Sequence, residues 1–191
     1  MQFIGDFSIE LQICDRLIEL HRACDRQGLV EAGRVYLGDD VAVDVNKKDS
    51  FDVRVSDIPE ALQNEYGVPS YIRELRRCTQ EYLRRFPHLS KSAFGVTESP
   101  VIQHYRPGGG FKIEHFERMN SASATRVLVW MTFLNDVTDA GGTRFVYQDR
   151  TFEARKGRTL IWPPDFTHTH VGVVSPSQHK YIITGWFNFE A

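Results

Sequence analysis

The sequence predicts a mainly β protein, an antiparallel sandwich or jelly roll preceded by buttressing helices. Two observations support this prediction. The first half of the chain contains two apolar patterns with the helical period, whereas the second half is a succession of short apolar runs separated by turn signals. These runs cover residues 101–105, 126–134, 144–147, 159–162 and 181–189. Short strands with such spacing are typical of sandwiches and jelly rolls.

Two helices are predicted before residue 94. The first covers residues 9–27, where apolar residues form one stripe, with Ser8 as its N-cap and Gly28 as its stop signal. The second begins at Pro69, which suits the first turn of a helix, and ends near residue 86, before Pro87. Because each helix has one apolar face, we expect both to pack against the strands.

Length and composition restrict the class of protein. A chain of 191 residues without a low-complexity linker predicts a single domain over 1–191, with a helical part at about 1–94 and a jelly-roll core at about 95–191. The formal charge of −2 does not favour nucleic acid as the main partner. The longest mostly apolar run, 127–134, is too short to span a membrane. With three scattered cysteines and no basic leader, we expect a soluble, cytoplasmic protein without a membrane partner.

The stretch Glu114-His115-Phe116-Glu117 contains the first candidate metal ligands. If it ends a strand, His115 and Glu117 point to the same face and present an imidazole beside a carboxylate. This pair is two thirds of a 2-His-1-carboxylate site for Fe(II), which leaves open positions for an organic co-substrate and O2. The missing ligand has three candidates downstream, His168, His170 and His179, and the first two lie in a loop that leads to the last strand. A purely structural role for these histidines is the alternative.

The last predicted strand contains a candidate anion-binding group. Lys180 and Thr184 share one face of this strand, because side chains alternate along it. A lysine that points into a barrel needs an anion, and a dicarboxylate co-substrate that also chelates the metal would provide one. The alternative is that Lys180 is exposed at the start of the strand.

These motifs together resemble the Fe(II)- and 2-oxoglutarate-dependent oxygenases, specifically their prolyl 4-hydroxylase-like branch. The resemblance covers about residues 101–189. In chain order the matching motifs are Tyr105-Arg106-Pro107-Gly108-Gly109-Gly110, His115-Phe116-Glu117, Arg126, Phe133-Leu134-Asn135-Asp136-Val137, Gly141-Gly142-Thr143-Arg144-Phe145, Lys156-Gly157, His170-Val171-Gly172, Lys180-Tyr181 and Trp186. The ten-residue step from His170 to Lys180 matches the family's interval and favours His170 over His168. The sequence departs from the family at Glu117, where aspartate is usual, and at Phe133, where tyrosine is common.

The resemblance implies a double-stranded β-helix, the cupin-like form of the jelly roll. It also implies Fe(II), with 2-oxoglutarate and O2 as co-substrates and ascorbate as a candidate reductant. The implied metal ligands, which would also be the catalytic residues, are His115, Glu117 and His170. Lys180 would pair with the C5 carboxylate of 2-oxoglutarate, and the Tyr105 hydroxyl would donate to the same end, with Thr184 on the same cofactor-binding face.

The implied reaction is hydroxylation of an unactivated C–H bond, with a prolyl residue in a peptide or protein as the favoured substrate. A free amino acid or other small molecule is the alternative substrate. The alternative class is a non-catalytic jelly-roll protein that binds a metal or another ligand. The role of Arg126 is open between positioning the substrate or co-substrate and being a strand-start charge. His104 is expected to face away from Tyr105, on the opposite side of the strand.

Overall fold

Fifteen β-strands and three α-helices form the part of the chain that the computed structural model describes, residues 3–37 and 40–190. The helices are α1 (Leu11–Arg26), α2 (Glu60–Glu65) and α3 (Val68–Arg85). The strands are β1 (Gly5–Ser8), β2 (Glu31–Ala32), β3 (Val35–Leu37), β4 (Asp40–Ala42), β5 (Lys48–Asp49), β6 (Phe51–Arg54), β7 (Phe94–Gly95), β8 (Val101–Tyr105), β9 (Gly110–Phe111), β10 (Arg126–Phe133), β11 (Thr143–Phe145), β12 (Arg150–Phe152), β13 (Arg158–Trp162), β14 (His170–Gly172) and β15 (Lys180–Phe189). None of the described helices has the length and apolar character needed to cross a membrane.

Two antiparallel sheets form the framework of the fold. The major sheet has the strand order β1-β13-β10-β15-β8-β6-β2, and β7 also pairs with β15. The minor sheet has the order β12-β11-β14. A buried apolar cluster joins Met131 and Phe133 of the major sheet to Phe145 and Phe152 of the minor sheet. The two sheets therefore face each other, as expected for the predicted double-stranded β-helix.

The helices cover the other face of the major sheet. Alternation along β10 turns Leu128 and Trp130 toward the helices and turns Val129 and Met131 toward the minor sheet. The helical residues that pack in the same cluster as Trp130 include Leu17, Leu20, Cys24, Tyr71, Leu75 and Tyr82. Each such large apolar side chain contributes about 1.5–3 kcal/mol on burial, so this layer fixes the position of β10 and β15. The predicted buttressing role of the helices is confirmed.

The predicted start of the first helix is wrong. Ser8 is the last residue of β1, where it pairs with Arg158 of β13, and α1 begins at Leu11 with Glu10 as its N-cap. Phe7 and Ile9 are both buried and follow the two-residue period of a strand. Sheet pairing therefore overrides the capping preference of serine. The second helix, predicted at 69–86, is α3.

Strands from the first half of the chain extend both ends of the major sheet. β1 pairs with β13 at one end, and β6 pairs with β8 at the other. β2 then pairs with β6 and forms the outer edge. Because these strands continue the sheet that the second half begins, residues from the first half reach the space between the two sheets.

Candidate active site

A cavity of about 600 Å³ lies between the two sheets. Its walls come from β8, β10 and β15 of the major sheet, from β11 and β14 of the minor sheet, and from residues 29–57. All six predicted site residues line it: Tyr105, His115, Glu117, His170, Lys180 and Thr184. Cavities of this size are typical of sites for small organic molecules.

The three predicted metal ligands lie together in this cavity. Glu117 Oε1 is 3.5 Å from His115 Nε2 and 3.4 Å from His170 Nε2. The candidate ligand atoms of the three residues all lie within 4.8 Å of one another. Reciprocal backbone hydrogen bonds join the two histidines, since each N–H donates to the carbonyl of the other at 2.9 Å. The backbone therefore brings the two imidazoles together, although they are far apart in the sequence.

Hydrogen bonds at Nδ1 fix the tautomers of both histidines. His115 Nδ1 is 2.9 Å from the Ile113 carbonyl, and His170 Nδ1 is 3.0 Å from the His168 carbonyl. Because a carbonyl only accepts, each Nδ1 holds a proton, and in the neutral imidazole each Nε2 then presents a lone pair. Two imidazole nitrogens and one carboxylate oxygen are the donors of a 2-His-1-carboxylate site, so these residues fit Fe(II). Their assignment as iron ligands stays a prediction.

The ionisation of the site suits a metal cation. Burial raises the pKa of Glu117, but its contacts with His115 and His170 outweigh burial and hold that pKa well below its ordinary value. The pKa of His170 is lowered by burial and by the neighbouring His115. A charged carboxylate and a neutral imidazole are the forms that bind metals.

Arg126 contacts the backbone and the carboxylate of Glu117. Its Nη1 donates to the Glu117 carbonyl at 2.8 Å and lies 3.7 Å from Glu117 Oε2. Its other nitrogens, Nε and Nη2, donate to the two oxygens of Glu98 at 2.8 and 2.6 Å. Because the side chain is only 8% exposed and its donors are engaged, Arg126 is not an exposed strand-start charge.

Lys180 is a buried cation that lines the cavity. The residue is 4% exposed, which excludes the alternative of an exposed lysine. Its Nζ lies 4.8 Å from the centre of the Tyr105 ring, and no carboxylate in the described part of the chain forms an ion pair with it. Burial lowers its pKa to about 8. Thr184 lines the same cavity, and its hydroxyl donates to the Trp130 carbonyl at 2.9 Å.

The hydroxyl of Tyr105 is part of a hydrogen-bond network that the sequence did not reveal. It donates to Gln103 Oε1 at 2.7 Å, and Gln103 Nε2 donates to Asp52 Oδ2 at 3.3 Å. The ammonium of Lys48 lies 2.6 Å from the same carboxylate oxygen. The i, i+2 spacing of Gln103 and Tyr105 could have indicated their common face. Lys48 and Asp52 could not have been found in this way, because they belong to strands of the first half.

The other histidines considered in the sequence lie outside the ligand cluster, and one of them, His179, has its Nδ1 2.9 Å from His104 Nε2. His168 is buried in a short turn, where its Nδ1 is 3.0 Å from the Thr167 hydroxyl. It is not among the described residues whose ligand atoms converge. His104 faces the opposite side of β8, as expected, where its ring stacks on Tyr181 with centroids 4.1 Å apart. Burial lowers the pKa of His104 to about 4.

A double-stranded β-helix that holds two histidines, a carboxylate and a buried lysine in one cavity is characteristic of dioxygenases that use Fe(II), 2-oxoglutarate and O2. Residues 100–188, which contain all six predicted site residues, match the model of a family described as the 2OG-Fe(II) oxygenase superfamily. Residues 100–188 therefore match that superfamily, as the resemblance in the sequence predicted. No curated protein sequence matches the chain significantly.

Several solved prolyl hydroxylases share the fold. The collagen prolyl hydroxylase of Paramecium Bursaria Chlorella virus-1, in a 2OG complex, has a TM-score of 0.69 and 17% identity over 98% of this chain and 97% of its own. The prolyl-4-hydroxylase of Pseudomonas putida has a TM-score of 0.69 and 14% identity over 100% and 95%. A prolyl hydroxylase from Trichoplax adhaerens, in complex with a hypoxia inducible factor oxygen degradation domain peptide fragment, has a TM-score of 0.69 and 15% identity over 97% and 84%. At these identities the likeness shows a shared fold.

If Lys180 pairs with the C5 carboxylate of 2-oxoglutarate, as predicted, binding should weaken above a pH of about 8, because burial lowers the pKa of Lys180 to about 8 and a carboxylate binds its charged form. Below that pH the ammonium is protonated and the Kd should be constant. Above it the Kd should rise by up to about tenfold per pH unit. The measurement is a titration of Mn(II)-loaded protein with 2-oxoglutarate between about pH 6.5 and 9.5.

The matched control for this titration is Lys180→Arg, whose guanidinium stays charged throughout the range. Its Kd should not rise above pH 8, whatever its absolute affinity. A wild-type Kd that stays constant across the range would contradict the expectation.

Proposed function

We propose that this chain is a hydroxylase in which His115, Glu117 and His170 hold Fe(II) and Lys180 binds the C5 carboxylate of 2-oxoglutarate. The observation that carries the proposal is the buried ammonium of Lys180, which faces the same cavity as the three candidate ligands and has no described carboxylate partner. A buried cation without a counter-ion is costly, and a bound dicarboxylate would offset that cost.

Each side chain has a defined task in this proposal. The Nε2 atoms of His115 and His170 and the Oε1 atom of Glu117 bind the metal. Lys180 orients the co-substrate by its far carboxylate. Apolar residues that line the cavity exclude water from it, and these residues are Met131, Phe133, Trp162 and Ile182. When bound, the iron, 2-oxoglutarate and O2 supply the oxidising power that converts C–H to C–OH, with release of succinate and CO2. The protein's contribution is placement of the reactants in a dry site.

A prolyl residue in a peptide or protein is the proposed substrate. The shared fold with prolyl hydroxylases supports this proposal, and one of them, from Trichoplax adhaerens, is in complex with a peptide fragment. Exposed apolar side chains among the residues that line the cavity also support an extended partner. They are Val41, Ile113 and Met119, which are 50%, 36% and 61% exposed.

A free amino acid is the second candidate substrate. Charges of both signs line the part of the cavity that the first half of the chain provides, among them the ion pairs Arg34–Glu31 and Lys48–Asp52. Such walls suit a zwitterion, because they offer partners for an ammonium and a carboxylate. The two candidate substrates, a peptide or protein chain and a free amino acid, differ in the length of the molecule that must enter the cavity.

Anaerobic addition of Fe(II) and 2-oxoglutarate is expected to produce a weak visible charge-transfer band, because the co-substrate chelates the metal. The His115→Ala variant, which lacks one candidate ligand, is the control and should lose the band. A folded wild-type protein without the band would favour the alternative class, a non-catalytic binding protein.

Succinate formation then identifies the substrate. We would screen proline-containing peptides, the same peptides with alanine for proline, and free amino acids, each with and without ascorbate as the candidate reductant. A prolyl substrate predicts proline-dependent succinate and a product heavier by one oxygen atom. Equal turnover of the alanine peptides, or turnover of free amino acids alone, would contradict it.

A further inference from the structure

We infer that Trp186 and Arg126 are positioning residues that hold the Glu117 carboxylate so that only Oε1 can bind the metal. The inference rests on the proposed function, in which Glu117 is a metal ligand. It extends that function, because it gives tasks to two residues outside the candidate ligand set.

The two carboxylate oxygens of Glu117 have different surroundings. Oε1 faces the Nε2 atoms of His115 and His170, at 3.5 and 3.4 Å. Oε2 accepts a hydrogen bond from Trp186 Nε1 at 3.0 Å and has Arg126 Nη1 at 3.7 Å. Because a donor and a cation hold Oε2 away from the histidines, the carboxylate is oriented to bind a metal through one oxygen.

Trp186 and Arg126 also hold each other in place. The guanidinium carbon of Arg126 lies 3.9 Å from the centre of the Trp186 ring, a cation–π contact in a mostly buried setting. Glu98 binds Arg126 through two hydrogen bonds, at 2.8 and 2.6 Å, and this fork fixes the plane of the guanidinium. The position of Trp186 is further fixed by β15, where it pairs with Val129 of β10.

The length of the glutamate side chain explains why such support matters. Glutamate has three side-chain torsions, so an unsupported carboxylate can adopt several rotamers. Only some of these rotamers place Oε1 beside the histidines, and the others lower the fraction of molecules that can bind a metal. The hydrogen bond from Trp186 selects one arrangement before the metal arrives. Loss of an outer hydrogen-bond partner of a metal ligand typically weakens metal binding by about 10–100-fold.

The test is a double-mutant cycle on metal affinity, with wild type, Trp186→Phe, Glu117→Asp and the double variant. The readouts are the Co(II) dissociation constant and the visible spectrum of bound Co(II), neither of which requires turnover. Trp186→Phe should weaken Co(II) binding by about 10–100-fold in the wild-type background and change the Co(II) spectrum. Aspartate is shorter by one C–C bond, about 1.5 Å, so it cannot reach Trp186 from the metal position. In the Glu117→Asp background, Trp186→Phe should therefore raise the Co(II) dissociation constant by less than about threefold.

Trp130→Phe is the matched control, because it also shortens a buried indole but Trp130 Nε1 has no hydrogen-bond partner among the described residues. It should leave Co(II) affinity unchanged. The inference would be overturned if Trp186→Phe weakened Co(II) binding equally in the wild-type and Glu117→Asp backgrounds, or in neither. If Trp186→Phe does not fold, Arg126→Lys takes its place in the cycle. Lysine keeps the positive charge but cannot form the two hydrogen bonds to Glu98. We again expect a smaller loss of Co(II) affinity in the Glu117→Asp background than in the wild-type background. A folded wild type that binds no Co(II) would instead refute the proposed function.

Discussion

Replacement of Lys180 by alanine is expected to raise the KM for 2-oxoglutarate by about a hundredfold, while the metal Kd stays within about threefold. The ammonium is buried, lines the cavity and has no carboxylate partner among the described residues, so in the variant a carboxylate bound there would lose its charge partner. Removal of one partner from a buried charge pair costs about 2–5 kcal/mol, and 2.7 kcal/mol corresponds to about a hundredfold. The measurement combines succinate kinetics with a metal titration of the same preparation.

Lys112→Ala is the control for the loss of a lysine, because Lys112 is partly exposed and pairs with Asp49 at 3.8 Å. It should leave both constants unchanged. The Lys180 assignment would be wrong if Lys180→Ala weakened metal and 2-oxoglutarate binding equally, since that result would mean a structural role for the lysine.

His170→Ala is expected to reduce 2-oxoglutarate turnover by about a thousandfold or more, whereas His168→Ala should retain it within about tenfold. The first variant removes one of three candidate ligands from a group that acts as a unit. The second removes an imidazole that lies outside the cluster. The backbone carbonyl of residue 168, which accepts from His170 Nδ1, remains in that variant.

The pair of variants is informative because the two histidines are neighbours and are both buried, at 4% for His168 and 6% for His170. In His170→Ala, turnover should fall and the Co(II) dissociation constant should rise together. Loss of activity in His168→Ala alone would contradict the ligand assignment. Thermal unfolding of both variants would separate misfolding from loss of the metal site.

Local periodicity was sufficient to predict much of the site. The two-residue period of a strand placed Lys180, Thr184 and Trp186 on one face, and all three line the cavity. The same rule paired His115 with Glu117. The choice between His168 and His170 needed more than periodicity, because residues two apart share a face in a strand. The family interval to Lys180 favoured His170, the histidine that lies in the cluster.

Contacts between distant segments could not be predicted in this way. Asp52 reaches the Tyr105 network only because β6 pairs with β8, and the pattern of the intervening residues does not specify that pairing. The role of Arg126 depends on Glu98, which lies in a loop with no periodic pattern. Ser8 was misassigned for a related reason, since its pairing with Arg158 in β13 is invisible in the local sequence.

The reciprocal backbone hydrogen bonds between His115 and His170 bear on how the proposed iron site would be loaded. Many small metal-binding domains fold only when the ion arrives, because no preformed site exists in the unfolded chain. Here peptide groups join the two histidine segments, and carbonyl oxygens hold both imidazole rings. Because these contacts do not involve the proposed metal, we expect the two ligand segments to be joined whether or not a metal is bound. Chelation and reconstitution should be reversible without unfolding.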